Sequence, residues 1–211
     1  MASLRAGRAR PVTPEHTLAF LGFALVVAGT PGPSNAVLTA TGAKVGVVRG
    51  LPSLAGVAAG MAVLMFVTVF GLGALILETP LLLTAVKWTG VAVLFWLAWG
   101  IARSPGTSVD SHARPIGFLG AAAFQWINPK SWLACTSAAA AFFDQSRGNA
   151  HVQAAMLAVL FVLAALPSCF VWLAFGAVVQ RALRSQRAVR TFNLVMGALL
   201  AASVVLLLAP D

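Results

Sequence analysis

Gln125-Trp126-Ile127-Asn128-Pro129-Lys130-Ser131-Trp132 interrupts an otherwise apolar run that covers residues 116–143. As one helix the run would measure about 42 Å at the standard rise, against roughly 30 Å for the hydrocarbon core of a bilayer. Pro129 removes a backbone donor and clashes with the preceding turn, so the helix is expected to break at Asn128-Pro129. Lys130 follows directly. A lysine at mid-membrane depth costs about 2.5–3.5 kcal/mol on insertion scales and therefore faces a cavity or a partner. A broken, charged helix at the midplane is what a solute pathway requires. Two blander readings stand beside it: a re-entrant pair of short helices, and a Lys130 that snorkels to an interface.

Composition agrees with the membrane reading. The chain has 211 residues, 60% hydrophobic and 9% charged, with a mean hydropathy of +0.92. Soluble domains carry about 25% charged residues, so the expectation is an all-α integral membrane protein. The net charge of +9 does not point to nucleic acid. The basic residues lie in short segments between apolar runs, with no basic stripe and interleaved aromatics. Cys135 and Cys169 fall inside apolar runs, and His16, His112 and His151 are scattered at segment ends. No metal-ligand spacing emerges, and no cofactor is expected. The first apolar stretch follows Arg5, Arg8 and Arg10 without a small-residue cleavage site, and reads as a retained helix.

Apolar periods predict six transmembrane helices, at about 17–39, 52–77, 81–102, 116–143, 152–179 and 190–209. The organisation expected is a basic tail (1–16), a first three-helix repeat (17–102), a central cytoplasmic link (103–115) and a second three-helix repeat (116–211). Each half opens on an interrupted helix, at Thr30-Pro31-Gly32-Pro33-Ser34-Asn35 and at Asn128-Pro129-Lys130-Ser131. The third helix of each half begins with a basic residue and an aromatic and then reaches a glycine, Gly90 or Gly197. Three spans per half force the second copy to enter upside down. Two inverted repeats with paired broken helices and a midplane site are the layout of many secondary transporters. The links after spans one, three and five hold Lys44, Arg49, Arg103, Arg114, Arg181, Arg184 and Arg187; the opposite links hold only Lys87 and Arg147. By the positive-inside rule both termini lie outside, although the basic N-terminal tail argues the other way.

The two interruptions supply the candidate substrate-binding residues: Thr30, Ser34, Asn35, Gln125, Asn128, Lys130 and Ser131. Pro31, Gly32, Pro33 and Pro129 are the helix-breaking residues. Pro-Gly-Pro lacks two donors and frees carbonyls that need partners where water is absent. The alternative is a packing kink or a helix end. Lys130 and the amide groups that open the second half-helix suit an anionic or zwitterionic solute. Trp126 and Trp132 flank the break and admit a gating role, although tryptophan more commonly marks headgroups or fills packing. Gly56-x3-Gly60 and Pro167-Ser168 read as packing features. Such small-residue faces also permit a homodimer. The acids Glu15, Glu78, Asp110, Asp144 and Asp211 all lie near segment ends, so none is an obvious proton relay.

At these residues the chain resembles the LysE/RhtB family of small amino-acid exporters (lysine/homoserine/threonine exporter-like translocators) along nearly its full length. The matches are Pro31-Gly32-Pro33 with Asn35, the basic Gly-rich link at 42–50, Gly56-x3-Gly60, Lys87-Trp88-x-Gly90, Asn128-Pro129-Lys130, and Phe192-Asn193 leading to Gly197-Ala198-Leu199-Leu200. The resemblance implies a multi-pass secondary exporter of amino acids or related metabolites in the bacterial cytoplasmic membrane, driven by the proton gradient. Its partners would be a small-molecule substrate and membrane lipid. The chain also departs from the family. Many members carry an acid after the second glycine of span two, where Met61 stands here, and a Pro-Gln near the end of span four, where Ala138 to Phe143 run apolar and small. Without that acid, proton coupling and cationic cargo lose their expected residue, and Lys130 favours neutral zwitterions. Two other classes compete: a transmembrane thiol-disulfide carrier using Cys135 and Cys169, and a non-transporting membrane scaffold.

Overall fold

The computed structural model describes residues 13–72, 78–103, 116–144, 149–183 and 185–208. Most of the basic tail, the link at 104–115 with Asp110, His112 and Arg114, and Arg147, Arg184 and Asp211 lie outside the described residues. Every regular element among those described is helical: α1 (Pro14–Gly29), α2 (Pro33–Val67), α3 (Pro80–Ala102), α4 (Phe118–Ile127), α5 (Pro129–Phe142), α6 (Ala150–Ala182) and α7 (Gln186–Leu208). A π-helical turn, Thr68–Leu72, extends α2.

Both expected breaks are present. Thr30 and Gly32 are extended between α1 and α2, and Asn128 (φ −87°, ψ 108°) separates α4 from α5. Each following helix carries proline in its first turn, where a missing N–H costs nothing and the fixed φ favours helix. The Gly-rich link expected at 42–50 is different. Helix runs through it, and Gly46 (φ 76°, ψ 178°) is its one non-helical residue, so α2 has two limbs joined at a single glycine hinge. The left-handed φ is open to glycine without a Cβ penalty, which is why no longer loop is needed.

Aromatic contacts gather one end of the bundle. The His16 ring meets Phe142 at 5.3 Å, and Phe70 meets His151 at 4.7 Å. Gln153 of α6 exchanges two hydrogen bonds with the Asp144 backbone just after α5, which links the two pairs and places the start of α1, the end of α2, the end of α5 and the start of α6 together. Away from that end, Ser53 donates to the Ile116 carbonyl, joining the second limb of α2 to the chain just before α4.

Glycines set the closest crossings. A Cβ on Gly42 would collide with the Leu173 carbonyl of α6, and one on Gly176 with the Thr39 carbonyl of α2. Gly56 and Gly60 press on Phe118 and Ala122 of α4, so the small-residue face of span two is used for packing within the chain. Gly90 of α3 lies against Ile127 and Pro129 at the second break, and Gly197 of α7 against Ala98 of α3.

The distribution of polarity is that of a protein solvated by lipid. Val48, Leu81, Leu119 and Trp96 are largely exposed, whereas Gln125, Asn128, Thr39 and Ser53 are buried. Soluble proteins avoid large exposed apolar surfaces. Among the described residues, Pro33–Gly71 and Ala150–Ala182 are each long and apolar enough to cross a membrane.

Candidate functional site

The two breaks meet. Gln125 on α4, fully buried, accepts the Ser34 hydroxyl at 3.0 Å and the Ser131 hydroxyl at 2.9 Å on its Oε1, while its Nε2 donates to the Ala121 carbonyl at 3.1 Å. Asn128 donates to Ser34 Oγ at 2.9 Å. One side-chain network thus ties the first turn of α2 to both sides of the second break. In a low-dielectric interior each such donor and acceptor must be matched, which makes the network a strict spacer between the breaks.

The first break is held by Asn35, whose Nδ2 donates to the Ala28 carbonyl at 3.0 Å and the Thr30 carbonyl at 2.8 Å. These carbonyls lack helical donors because α1 ends at Gly29 and the chain runs extended at Thr30 and Gly32, which leaves the last carbonyls of the helix open. Lys130 reaches the same place from the other half: its Nζ donates to the Thr30 carbonyl at 2.6 Å and lies 3.5 Å from that of Pro31. The ammonium is therefore solvated by break carbonyls. Glycine at 32 permits this, since a Cβ there would stand 2.8 Å from Lys130 Cδ and 3.0 Å from Nζ.

Around this junction lies a cavity of about 410 Å³, mouth included. Ser34, Asn35, Gln125, Asn128, Lys130 and Ser131 all line it, as does Gly32. Thr30 contributes differently. Its hydroxyl turns back to the Val26 carbonyl at 2.6 Å, and it is the Thr30 carbonyl that faces Lys130. Pro31, Pro33 and Pro129 shape the breaks without lining the cavity. The amide groups after Pro129, expected to be open to a solute, already have partners: Lys130 N donates to Asn128 Oδ1 at 3.1 Å and Ser131 N to the Asn128 carbonyl at 2.9 Å. Asn128 caps α5 itself, which consumes the donors that the helix start would otherwise present.

The remainder of the wall was not legible as a site. Val27 and Ala28 come from α1, Val57 and Met61 from α2, Ala134 from α5, and Phe161, Ala165 and Cys169 from α6. Nothing marks these residues in sequence except Met61, singled out as the place of a missing acid, and Cys169, singled out with Cys135 for thiol chemistry. No carboxylate lines the cavity among the described residues. Cys135 is buried outside the lining, and both cysteines are free thiols. Trp132 Nε1 donates to the Trp126 carbonyl at 2.7 Å, and the two rings pack edge to face, bracing the second break.

Residues 25–209 match the family described as LysE type translocator. The chain belongs to that family. It is a transporter rather than an enzyme, and the resemblance drawn from Pro31-Gly32-Pro33 and Asn128-Pro129-Lys130 holds. The translocator is 28% identical over 190 residues to the cysteine/O-acetylserine efflux protein of Salmonella typhimurium (strain LT2), covering 90% of this chain and 95% of that one. It is 29% identical over the same length, with the same coverage, to the cysteine/O-acetylserine efflux protein of Escherichia coli (strain K12). No solved structure matches the chain.

Proposed function

We propose that this translocator exports amino acids or related small zwitterionic metabolites across the bacterial cytoplasmic membrane by alternating access. The observation that carries the reading is the meeting of two broken helices at one cavity, with Lys130 of the second break bonded to the Thr30 carbonyl of the first. A substrate carboxylate would take the Lys130 ammonium in place of that carbonyl. Its amino group would then take the carbonyls of Ala28 and Thr30, and Ser34, Asn35, Gln125, Asn128 and Ser131 would fix its orientation. The printed names of the relatives make cysteine and O-acetylserine the first substrates to try.

Six crossings in two inverted halves, 17–102 and 116–211, fit the element lengths. At the standard rise α1 covers about 24 Å, α4 about 15 Å and α5 about 21 Å, so each broken helix crosses roughly 30 Å only as a pair of pieces. The first crossing is α1 with the first limb of α2, the fourth is α4 with α5, and the inverted arrangement supports rocking of one half against the other around a fixed site. The proton gradient is the proposed driving force, and the termini are proposed to lie outside, following the Lys and Arg bias.

Efflux of preloaded labelled amino acids from cells that overproduce the protein tests the reading. Export of cysteine or another small neutral amino acid, sensitive to a protonophore, is expected. Absence of efflux for all neutral, cationic and sulfur-containing amino acids, with the protein correctly inserted, overturns it.

A further inference from the structure

We infer that Met61 forms the wall against which the substrate's side chain rests, and that it decides which side chains the translocator accepts. The inference builds on the binding-site reading above. The cavity has two faces: a polar one made by the breaks, and an apolar one to which Val57 and Met61 of α2 and Phe161 and Ala165 of α6 contribute. A zwitterion that spends its carboxylate on Lys130 and its amino group on break carbonyls has only the apolar face left for its side chain.

Met61 is the adjustable member of that face. All four belong to one buried core, but the Phe161 ring is rigid and 2% exposed, and Val57 and Ala165 are too short to vary their reach. Met61 is 6% exposed, unbranched and rotatable at three bonds, so it fills whatever space a small side chain leaves. Its position is held by its neighbour: a Cβ on Gly60 would stand 2.8 Å from Gln125 Cγ and 2.6 Å from the Ala122 carbonyl, so the backbone at 60–61 lies directly on the polar network. The face offers no counter-charge, and Lys130 repels a second cation. Small uncharged side chains are admitted; bulky or cationic ones are refused, the latter by an unpaired buried charge.

The test compares wild type, Met61→Ala and Met61→Phe in efflux of labelled alanine, cysteine, leucine and lysine, normalised to protein in the membrane. Met61→Ala should raise the leucine-to-alanine ratio and Met61→Phe should lower it, each by roughly tenfold, the scale of one or two methylene groups in an apolar pocket. Met61→Asp should give lysine efflux that wild type lacks. Identical ratios in wild type and Met61→Ala, with wild type active, overturn the assignment of Met61 and leave the exporter reading standing. A wild type inactive on the whole panel overturns the exporter reading and this inference together. If Met61→Phe fails to reach the membrane, the Met61→Ala ratio alone decides.

Discussion

Lys130 Nζ lies 2.6 Å from the Thr30 carbonyl oxygen, one hundred residues away in sequence, and this bond joins the two helix breaks across the cavity. It is also the bond that a substrate carboxylate would exchange for its own. A carboxylate returns a full charge to the ammonium where a carbonyl returns a dipole, so the exchange is favourable in a cavity without an acid. Substrate binding should then raise the thermal midpoint of purified protein, with a stabilisation of about 2.7 kcal/mol at a hundredfold excess over Kd. Lys130→Met should abolish the shift; a shift of unchanged size in that variant removes the carboxylate from Lys130.

Gly32→Ala separates folding from function. The backbone there is extended and open to any residue, and the group that a Cβ would displace is the end of a flexible lysine. Membrane levels and melting temperature should stay close to wild type while efflux falls severalfold, because Lys130 loses its path to the first break. Normal efflux from Gly32→Ala would mean that this path is not used.

Gly176→Ala should do the opposite. Its Cβ would meet a backbone carbonyl of α2, which cannot swing aside, and overpacking of this kind costs about 1–3 kcal/mol. A lowered melting temperature in detergent is expected, with Gly22→Ala, whose Cβ would meet nothing, as the neutral comparison. Equal melting temperatures for the two variants would contradict the α2–α6 crossing.

Asn128→Ala removes a helix cap and the donor to Ser34 together. Caps alone contribute about 0.5–2 kcal/mol. Asn128→Asp keeps the oxygen that accepts Lys130 N but loses the donor and brings a negative charge close to the Lys130 ammonium. Stability should recover more in Asn128→Asp than in Asn128→Ala, whereas efflux should be low in both. Wild-type efflux from Asn128→Asp would show that the network does not orient substrate.

The double variant Cys135→Ala/Cys169→Ala should retain most export, since Cys135 is outside the cavity and Cys169 adds only one part of its apolar wall. Loss of export with normal membrane levels would revive thiol chemistry.

The breaks were legible in sequence because proline and glycine act locally: Pro31-Gly32-Pro33 and Asn128-Pro129 stop helices wherever they stand. Lys130 was legible because a charge inside an apolar run needs a reason. The hinge at Gly46 was not, since it is one of several glycines in a link that otherwise keeps helical hydrogen bonds, and only the backbone angle distinguishes it. The use of the α5 amides was missed for a related reason. Asn128 lines the cavity, and its Oδ1 also turns back to cap the helix that it precedes, a local bond that the order of residues alone does not reveal. The apolar wall is the work of tertiary packing: Val57, Phe161 and Ala165 are ordinary core residues until α2 and α6 cross.

The most direct measurement is efflux of labelled cysteine and O-acetylserine from preloaded cells or vesicles holding equal amounts of wild type or Lys130→Ala. Hydrogen bonds to a charged group contribute about 1.5–3 kcal/mol, so the variant should export at least tenfold less. Equal export by the two proteins would contradict the account, because the charge that joins the two breaks would then play no part in carrying the substrate.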